Sequence, residues 1–377
     1  MADQLKRMGY LVTKSREMAE GGSLDMAFQN LFRRVGSDDL MLFNIQLSKM
    51  VQVGIPLVSA LNTLGEQTEN PKLRAAVGNV ARSVEGGTTF SDALNQHPGV
   101  FSALFVNMVQ AGEASGKLDE IMRRLAIFAK RQGELQQQVK TAMTYPTVLL
   151  VVGAAVITLL VMGIIPKFMK IFLDAGVPLP LPTTLLFQLS LFMRGYWWAI
   201  GLAAIAAAAA IRMLHRTPEG RRRIDTWLLK IPVIGDLLRK AAISRLTRTL
   251  ETLFSSGVPV LQSLAIAERT CGNEVIAGAC RSVQTSVEKG GSLADPLQVS
   301  REFPPMVVQM IAVGEASGTM DHMLAEIAEH YDELVQHSLK RLTTLIEPFF
   351  LIVMGGMVAF IMASVLLPLF GMVNVIK

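Results

Sequence analysis

This chain of 377 residues is poor in cysteine, in aromatics and in clustered charge. Cys271 and Cys280 are its two cysteines, too few for a disulfide framework. Placed on or beside one helix, they stand roughly 13 Å apart at helical rise, beyond bridging distance. Reduced thiols are therefore expected. Phe, Trp and Tyr make up 6% of the chain, and no basic run is interleaved with them. With a formal net charge of only +5, that argues against a nucleic-acid partner and suits an anionic membrane leaflet. Residues 1–20 are polar and charged, so no signal peptide is expected there. Missing too are an HExxH pattern, a Ser/His/Asp grouping with diagnostic spacing, and a pair of catalytic carboxylates.

Apolar residues are what the chain has in excess. They make up 51%, and the mean hydropathy of +0.39 predicts membrane segments. Val148–Ile165 carries no charge, and Thr158 is its one clearly polar residue. Phe349–Leu367 is uncharged with a single Ser. The Ala-rich run Trp197–Ile211 is weaker; its helix is expected from about Ser190, with Arg194 near an interface. Tyr196, Trp197 and Trp198 beside it read as an interfacial aromatic belt. About 20 helical residues cross a ~30 Å hydrocarbon core, so each run is long enough to span. None has Asp, Glu or Lys at its centre, which argues against an ion-coupled transporter. Gly355-Gly356 and the alanines of 203–210 suggest close helix packing instead.

Basic residues orient the spans. Lys130, Arg131, Lys140, Arg216, Arg221, Arg222, Arg223, Lys340 and Arg341 fall on one side; Lys167, Lys170, Arg194 and Lys377 fall on the other. The positive-inside rule then puts the N-terminus and both polar regions in the cytoplasm, and the C-terminus outside. The expected partition is a first helical bundle at 38–145, spans at 146–166, 190–214 and 348–369, and a second bundle at 215–347. The outer loop is 167–189, stiffened by Pro178, Pro180 and Pro182, and the outer tail is 370–377. The middle span has no counterpart in the repeat described next, but without it the second bundle would lie on the wrong side.

One unit is used twice. Gly-Glu-Ala-Ser-Gly occurs at Gly112–Gly116 and again 202 residues on (112 to 314), at Gly314–Gly318. Phe101, Met108, Asp119, Pro146, Pro166 and Phe168 recur at the same offset as Phe303, Met310, Asp321, Pro348, Pro368 and Phe370. Gly54-Ile55-Pro56 recurs as Gly257-Val258-Pro259, and Gly86-Gly87 as Gly290-Gly291. Apolar spacing in both halves is helical: Leu40, Phe43, Leu47, Met50 and Val51 line one face, matched by Leu246, Leu250, Leu253 and Phe254. Ser37-Asp38 is expected to cap a helix running to Gly54, and Gly54-Ile55-Pro56 to form a corner. Asn70 and Asn273 read as further helix starts, and the Gly-Gly pairs as stops. The last helix of each bundle is expected to run from Leu118 to Tyr145, or from Met320 to Glu347, with Pro146 and Pro348 heading the spans.

Gly112–Leu118 superficially resembles a phosphate loop and fails as one. Ala111 stands where a Gly is needed, Leu118 where a hydroxyl residue is needed, and Thr319 replaces Lys117 in the second copy. Small residues at Gly112, Ala114, Ser115 and Gly116 suit close packing and a helix stop. Glu113 and Glu315 then either bond to a neighbouring loop or contact a partner or cation. His322, Glu326, Glu329, His330, Glu333 and His337 share one helix, where a metal pair at i,i+4 competes with a solvated charged face; the first half has no equivalent histidines, which favours the latter. No catalytic residue, cofactor or metal is assigned.

The doubled Gly-Glu-x-Ser-Gly motif, the Gly-Ile/Val-Pro corner, the Gly-Gly turn and the Pro-headed span together resemble the type II secretion F-domain family, from about Leu40 to the C-terminus in both copies. The resemblance implies an all-α integral membrane protein: two homologous cytoplasmic six-helix bundles and three transmembrane helices. It implies a non-enzymatic inner-membrane platform of type IV pilus or type II secretion machinery. Its implied partners are a hexameric ATPase, pilins or pseudopilins, other inner-membrane assembly proteins, membrane lipid, and further copies of itself as a dimer or trimer. Residues 1–37 then resemble the remnant of a longer N-terminal segment. The positions singled out for structure or partner contact are Gly54, Pro56, Gly112, Glu113, Gly116, Tyr145 and Pro146, with Gly257, Pro259, Gly314, Glu315, Gly318, Glu347 and Pro348 in the second half. The competing readings are a membrane transporter, a scaffold unrelated to pili, and a membrane-bound ATPase.

Overall fold

Helices build every regular element of the computed structural model, which describes residues 35–174, 180–215 and 217–375. The expectations for residues 1–34 and for Pro178 lie outside the described residues. The chain divides into two compact units, the first ending at Lys130 and the second beginning at Arg131.

The first unit holds α1 (Ser37–Gln52), α2 (Leu57–Gln67), α3 (Pro71–Glu85), α4 (Phe90–Asn95), α5 (Ala103–Ser115) and the first turns of α6 (Leu118–Leu159). Polar side chains start these helices by accepting otherwise orphaned N–H groups. Asn70 accepts from Lys72 and Leu73, Thr89 from Asp92, and Ser102 from Phe105. Their apolar stripes meet in a core of Phe43, Leu47, Leu61, Leu64, Val77, Leu94, Met108 and Met122, all nearly inaccessible. Each such side chain contributes about 1.5–3 kcal/mol by leaving water. The start of α1 differs from the expected Ser37-Asp38 cap. Gly36 is the cap residue, and its N–H donates to Asp39 Oδ2 at 3.1 Å. The same oxygen accepts from Asn70 Nδ2 at 2.7 Å, which ties α1 to the head of α3.

The second unit holds the remainder of α6, a π-helical turn at Leu160–Ile164, α7 (Ile165–Asp174), α8 (Leu181–Leu214) and α9 (Pro218–Lys230). After them come α10 (Ile234–Ser255), α11 (Val260–Thr270), α12 (Glu274–Glu288), α13 (Ala294–Ser300), α14 (Pro305–Ser317) and α15 (Met320–Val375). Helices α10 to α15 repeat the order of α1 to α6 and enclose an equivalent core, with Leu246, Leu264, Ile276, Val307, Leu324 and Ile327 buried. Helix α9 has no counterpart among the described residues of the first unit. Its buried Asp225 accepts the Glu274 N–H at 2.8 Å and so holds the first turn of α12.

Three helices are long and apolar enough to cross a membrane: Leu118–Phe172, Leu181–Leu214 and Met320–Pro368. Their boundaries differ from the sequence expectation. Most of the expected outer loop 167–189 is helical, because α7 reaches Asp174 and α8 begins at Leu181. Pro180 and Pro182 do not stiffen a loop; they sit at the N-cap and in the first turn of α8, where no N–H is required. The segment is apolar on one face. Ile165, Met169 and Phe172 of α7 pack with Leu186 of α8 and Ile361 of α15. Thr183 adds a buried hydrogen bond across the helices, its Oγ1 donating to the Ser364 carbonyl at 2.8 Å. Helix α8 departs from helical φ/ψ at Tyr196 (φ −117, ψ 18), beside the aromatic pair. The expected tail after Leu369 is likewise helical, since α15 runs to Val375.

The thiols lie on and beside one helix, as expected. Cys271 closes α11 and Cys280 lies within α12, both buried and free. Burial pushes the Cys280 thiol up to about 12 from an ordinary 9.0, and raises Cys271 for the same reason. The folded state thus favours neutral sulfur. Its contribution is full below pH ~9 and is lost as pH rises toward ~12. Thermal melts of the detergent-solubilised chain should fall more steeply across that range for wild type than for Cys280→Ala.

Candidate functional site

The repeated pentapeptide ends one helix and presses it against the next. Gly116 and Gly318 adopt left-handed φ of 69° and 71°, which turns the chain out of α5 and α14. Lys117 and Thr319 then donate their N–H to the carbonyls of Gly112 and Gly314, each at 3.0 Å, closing a Schellman-type turn. Gly112 and Gly314 are needed for approach rather than for φ. A Cβ on Gly112 would lie 2.9 Å from Ile121 Cγ1 and 3.3 Å from Leu118 Cα; on Gly314 it would lie 3.0 Å from Met323 Cγ and 3.2 Å from Met320 Cα. The same contact is therefore made twice, by the same register.

Glu113 and Glu315 reach from this turn to the short fourth helix of their own bundle. Glu113 Oε1 accepts the Phe90 N–H at 2.6 Å, and Oε2 accepts the Ser91 N–H at 3.0 Å and the Ser91 hydroxyl at 2.5 Å. Glu315 accepts the single N–H of Leu293, at 2.9 and 3.0 Å from its two oxygens. Ala294 stands where Ser91 stands, so the hydroxyl bond is missing. Glu113 is half-buried and Glu315 exposed.

The other repeated positions serve as corners. Gly54 and Gly257 are left-handed (φ 85° and 77°), and Pro56 and Pro259 are the N-cap residues of α2 and α11. The Gly-Gly match shifts by one residue: the left-handed glycines are Gly87 (φ 91°) and Gly290 (φ 75°), so these two correspond.

Tyr145-Pro146 and Glu347-Pro348 are not helix ends. Helix α6 continues through Pro146, and α15 through Pro348 and Pro368. Each proline lacks the N–H that would bond the carbonyl four residues earlier, at Ala142 or Thr344. Thr147 and Thr344 hydroxyls back-bond within the helix, to the carbonyls of Met143 at 2.7 Å and Lys340 at 2.9 Å. Beyond the prolines the long helices close up. A Cβ on Gly153 would lie 2.7 Å from Phe350 Cζ.

Sequence reasoning missed one polar cluster. Arg248 on α10 donates through Nη2 to Asp332 Oδ2 on α15 at 2.6 Å, and Ser244 Oγ bonds to the same carboxylate. Arg131, Glu134 and Gln138 of α6 line the cleft beside it. Ile45 and Lys130 occupy the corresponding first-half positions, so the repeat comparison carried no signal for this pair. His322, Glu326, Glu329, His330, Glu333 and His337 are all exposed on α15. Among the described residues no group of three His, Cys, Asp or Glu side chains is placed to hold a metal.

Two six-helix bundles of one design, each continuous with an apolar helix, define a membrane scaffold built by duplication. The chain belongs to the family described as type II secretion system (T2SS), protein F, whose model matches it twice, over residues 43–166 and 246–368. It is 39% identical over 378 residues to the type IV pilus assembly protein PilC of Thermus thermophilus, covering 99% of this chain and 92% of that one. To PilC of Myxococcus xanthus it is 38% identical, covering 92% and 83%. To type II secretion system protein F of Vibrio cholerae it is 33% identical, covering 92% and 85%.

The glycine contacts should be unequal in stability. Gly112→Ala meets a β-branched side chain that cannot swing away and should cost about 1–3 kcal/mol. Gly314→Ala meets the flexible Met323 and should cost less; chemical denaturation of the two variants compares them. Glu113→Ala leaves two N–H groups and a hydroxyl without their acceptor and should cost about 1–2 kcal/mol, whereas Glu315→Ala should cost under about 1 kcal/mol. Equal losses in that second pair would show that the extra bonds of Glu113 add nothing.

Proposed function

We propose that this chain is the inner-membrane platform of a type IV pilus or type II secretion machine. In this reading both bundles face the cytoplasm and the C-terminus lies outside. The bundles receive motion from a hexameric assembly ATPase, and the membrane helices pass it to pilins or pseudopilins. The chain acts with other inner-membrane assembly proteins, in a membrane of lipid, as a homo-oligomer, and performs no chemistry of its own. The repeated Gly, Pro and Glu positions serve to hold the helices in register. One observation carries the reading: α6 and α15 run without interruption from the repeated turn, through Pro146 or Pro348, into the apolar spans. A continuous helix passes on displacement along its length, and each proline removes one rung of its hydrogen-bond ladder at the head of the span. That gives each helix a defined point of compliance where bundle meets membrane.

The double variant Pro146→Ala, Pro348→Ala restores both rungs. It should insert in the membrane at wild-type level, while surface pili or secreted substrate fall sharply in a strain carrying it as sole copy. Normal assembly in that strain would remove the coupling role from these two points.

A further inference from the structure

Helix α9 is the one part of the second bundle that the repeat does not explain among the described residues. It follows the middle apolar helix directly: α8 ends at Leu214 and α9 begins at Pro218. The connection is tight. Thr217 donates both its N–H (3.2 Å) and its hydroxyl (2.9 Å) to the Leu214 carbonyl, and a Cβ on Gly220 would lie 2.3 Å from that same oxygen. The far end is equally close, since a Cβ on Gly235 would lie 2.2 Å from the Leu229 carbonyl. Between them the buried Asp225 holds the Glu274 N–H at 2.8 Å. With both ends and one face tied, α9 cannot roll, and its other face is set by the fold.

That face is basic and aromatic. Arg222, Arg223, Thr226, Trp227 and Lys230 are exposed, with Glu219 the one acid among them, and Trp227 is 67% accessible. Thirteen helical residues extend only ~20 Å, so the whole face stays close to the end of a membrane-crossing helix. A tryptophan flanked by arginine and lysine at that depth matches the interfacial zone, where the ring sits among headgroups and the cations meet anionic lipid.

We propose that the outward face of α9 docks on anionic phospholipid headgroups of the leaflet at which α8 ends, seating the second bundle against the membrane through Arg222, Arg223, Trp227 and Lys230. The inference rests on α8 crossing the membrane. The lipid face is favoured over a protein partner because covalent continuity with α8 keeps it at the bilayer whether or not a partner is present.

The test uses the full chain reconstituted in vesicles of phosphatidylcholine, with and without phosphatidylglycerol. Trp197→Phe, Trp198→Phe leaves Trp227 as the sole tryptophan; Trp227→Phe leaves the pair on α8. Trp227 should be quenched by lipid brominated at shallow depth and shielded from aqueous iodide, more so with phosphatidylglycerol. Arg222→Gln, Arg223→Gln, Lys230→Gln should reduce the docked-to-undocked ratio about fivefold per charge. Trp227 open to iodide and unquenched by lipid, while the α8 pair is quenched, overturns the docking and leaves the span intact. Loss of quenching for the α8 pair as well overturns the span itself. Quenching of Trp227 that is indifferent to phosphatidylglycerol and to the triple variant overturns the role of anionic lipid.

Discussion

Hydrocarbon supplies no water to a backbone N–H or C=O, so a helix that enters a membrane cannot fray or turn at its surface. That constraint shapes this chain from both ends. It explains why α6 and α15 pass through Pro146 and Pro348 as single helices, although each proline would mark a stop in a soluble protein. A break there would orphan several carbonyls; a continued helix orphans one. It also explains why residues 160–174 form a π turn and α7, and residues 181–189 the start of α8. Met169, Phe172 and Leu186 then bury one another from helices whose own backbone groups are paired.

Given two helices that cannot be interrupted, the rest of each bundle must be fastened to their first turns. The fastening is a glycine contact. Gly112 and Gly314 bring the preceding helix to within van der Waals distance of Ile121 and Met323, and Gly116 and Gly318 turn the chain so that this approach is possible. The carboxylate between them reaches across to the fourth helix, so one pentapeptide links three helices in each bundle. The two copies have nonetheless diverged. The first keeps three hydrogen bonds at its carboxylate; the second has one donor there, and among the described residues it alone shows α9, the Asp225 cap and the Arg248–Asp332 pair. Duplication preserved the fastening, and what surrounds it differs.

Much of this was readable in advance because it depends on local chemistry. Asn70, Asn273, Gly54, Gly257, Gly116 and Gly318 act where they stand, through caps and left-handed turns that involve only a few neighbouring residues. The internal repeat then doubled the signal, since a corner present in both halves is hard to obtain otherwise. What escaped prediction depends on partners far away in sequence. Asp225 and Glu274 are 49 residues apart, and Arg248 and Asp332 are 84 apart. Neither pair has a repeat counterpart to draw the eye. The helical state of residues 167–174 and 181–189 escaped for a related reason: three prolines read locally as a stiff loop, and the packing face that recruits these residues lies on other helices.

By itself the sequence determined the helical class, the number of apolar runs, the doubling and the turns, because periodicity, hydropathy and glycine stereochemistry are properties of short windows. The tertiary structure decided where the helices end, which donors each carboxylate meets, and that both thiols are buried. It also decided that Gly87 and not Gly86 is the counterpart of Gly290. Those depend on which groups are brought within 3 Å of each other across the bundle, and distance between remote residues is set only when the core has packed.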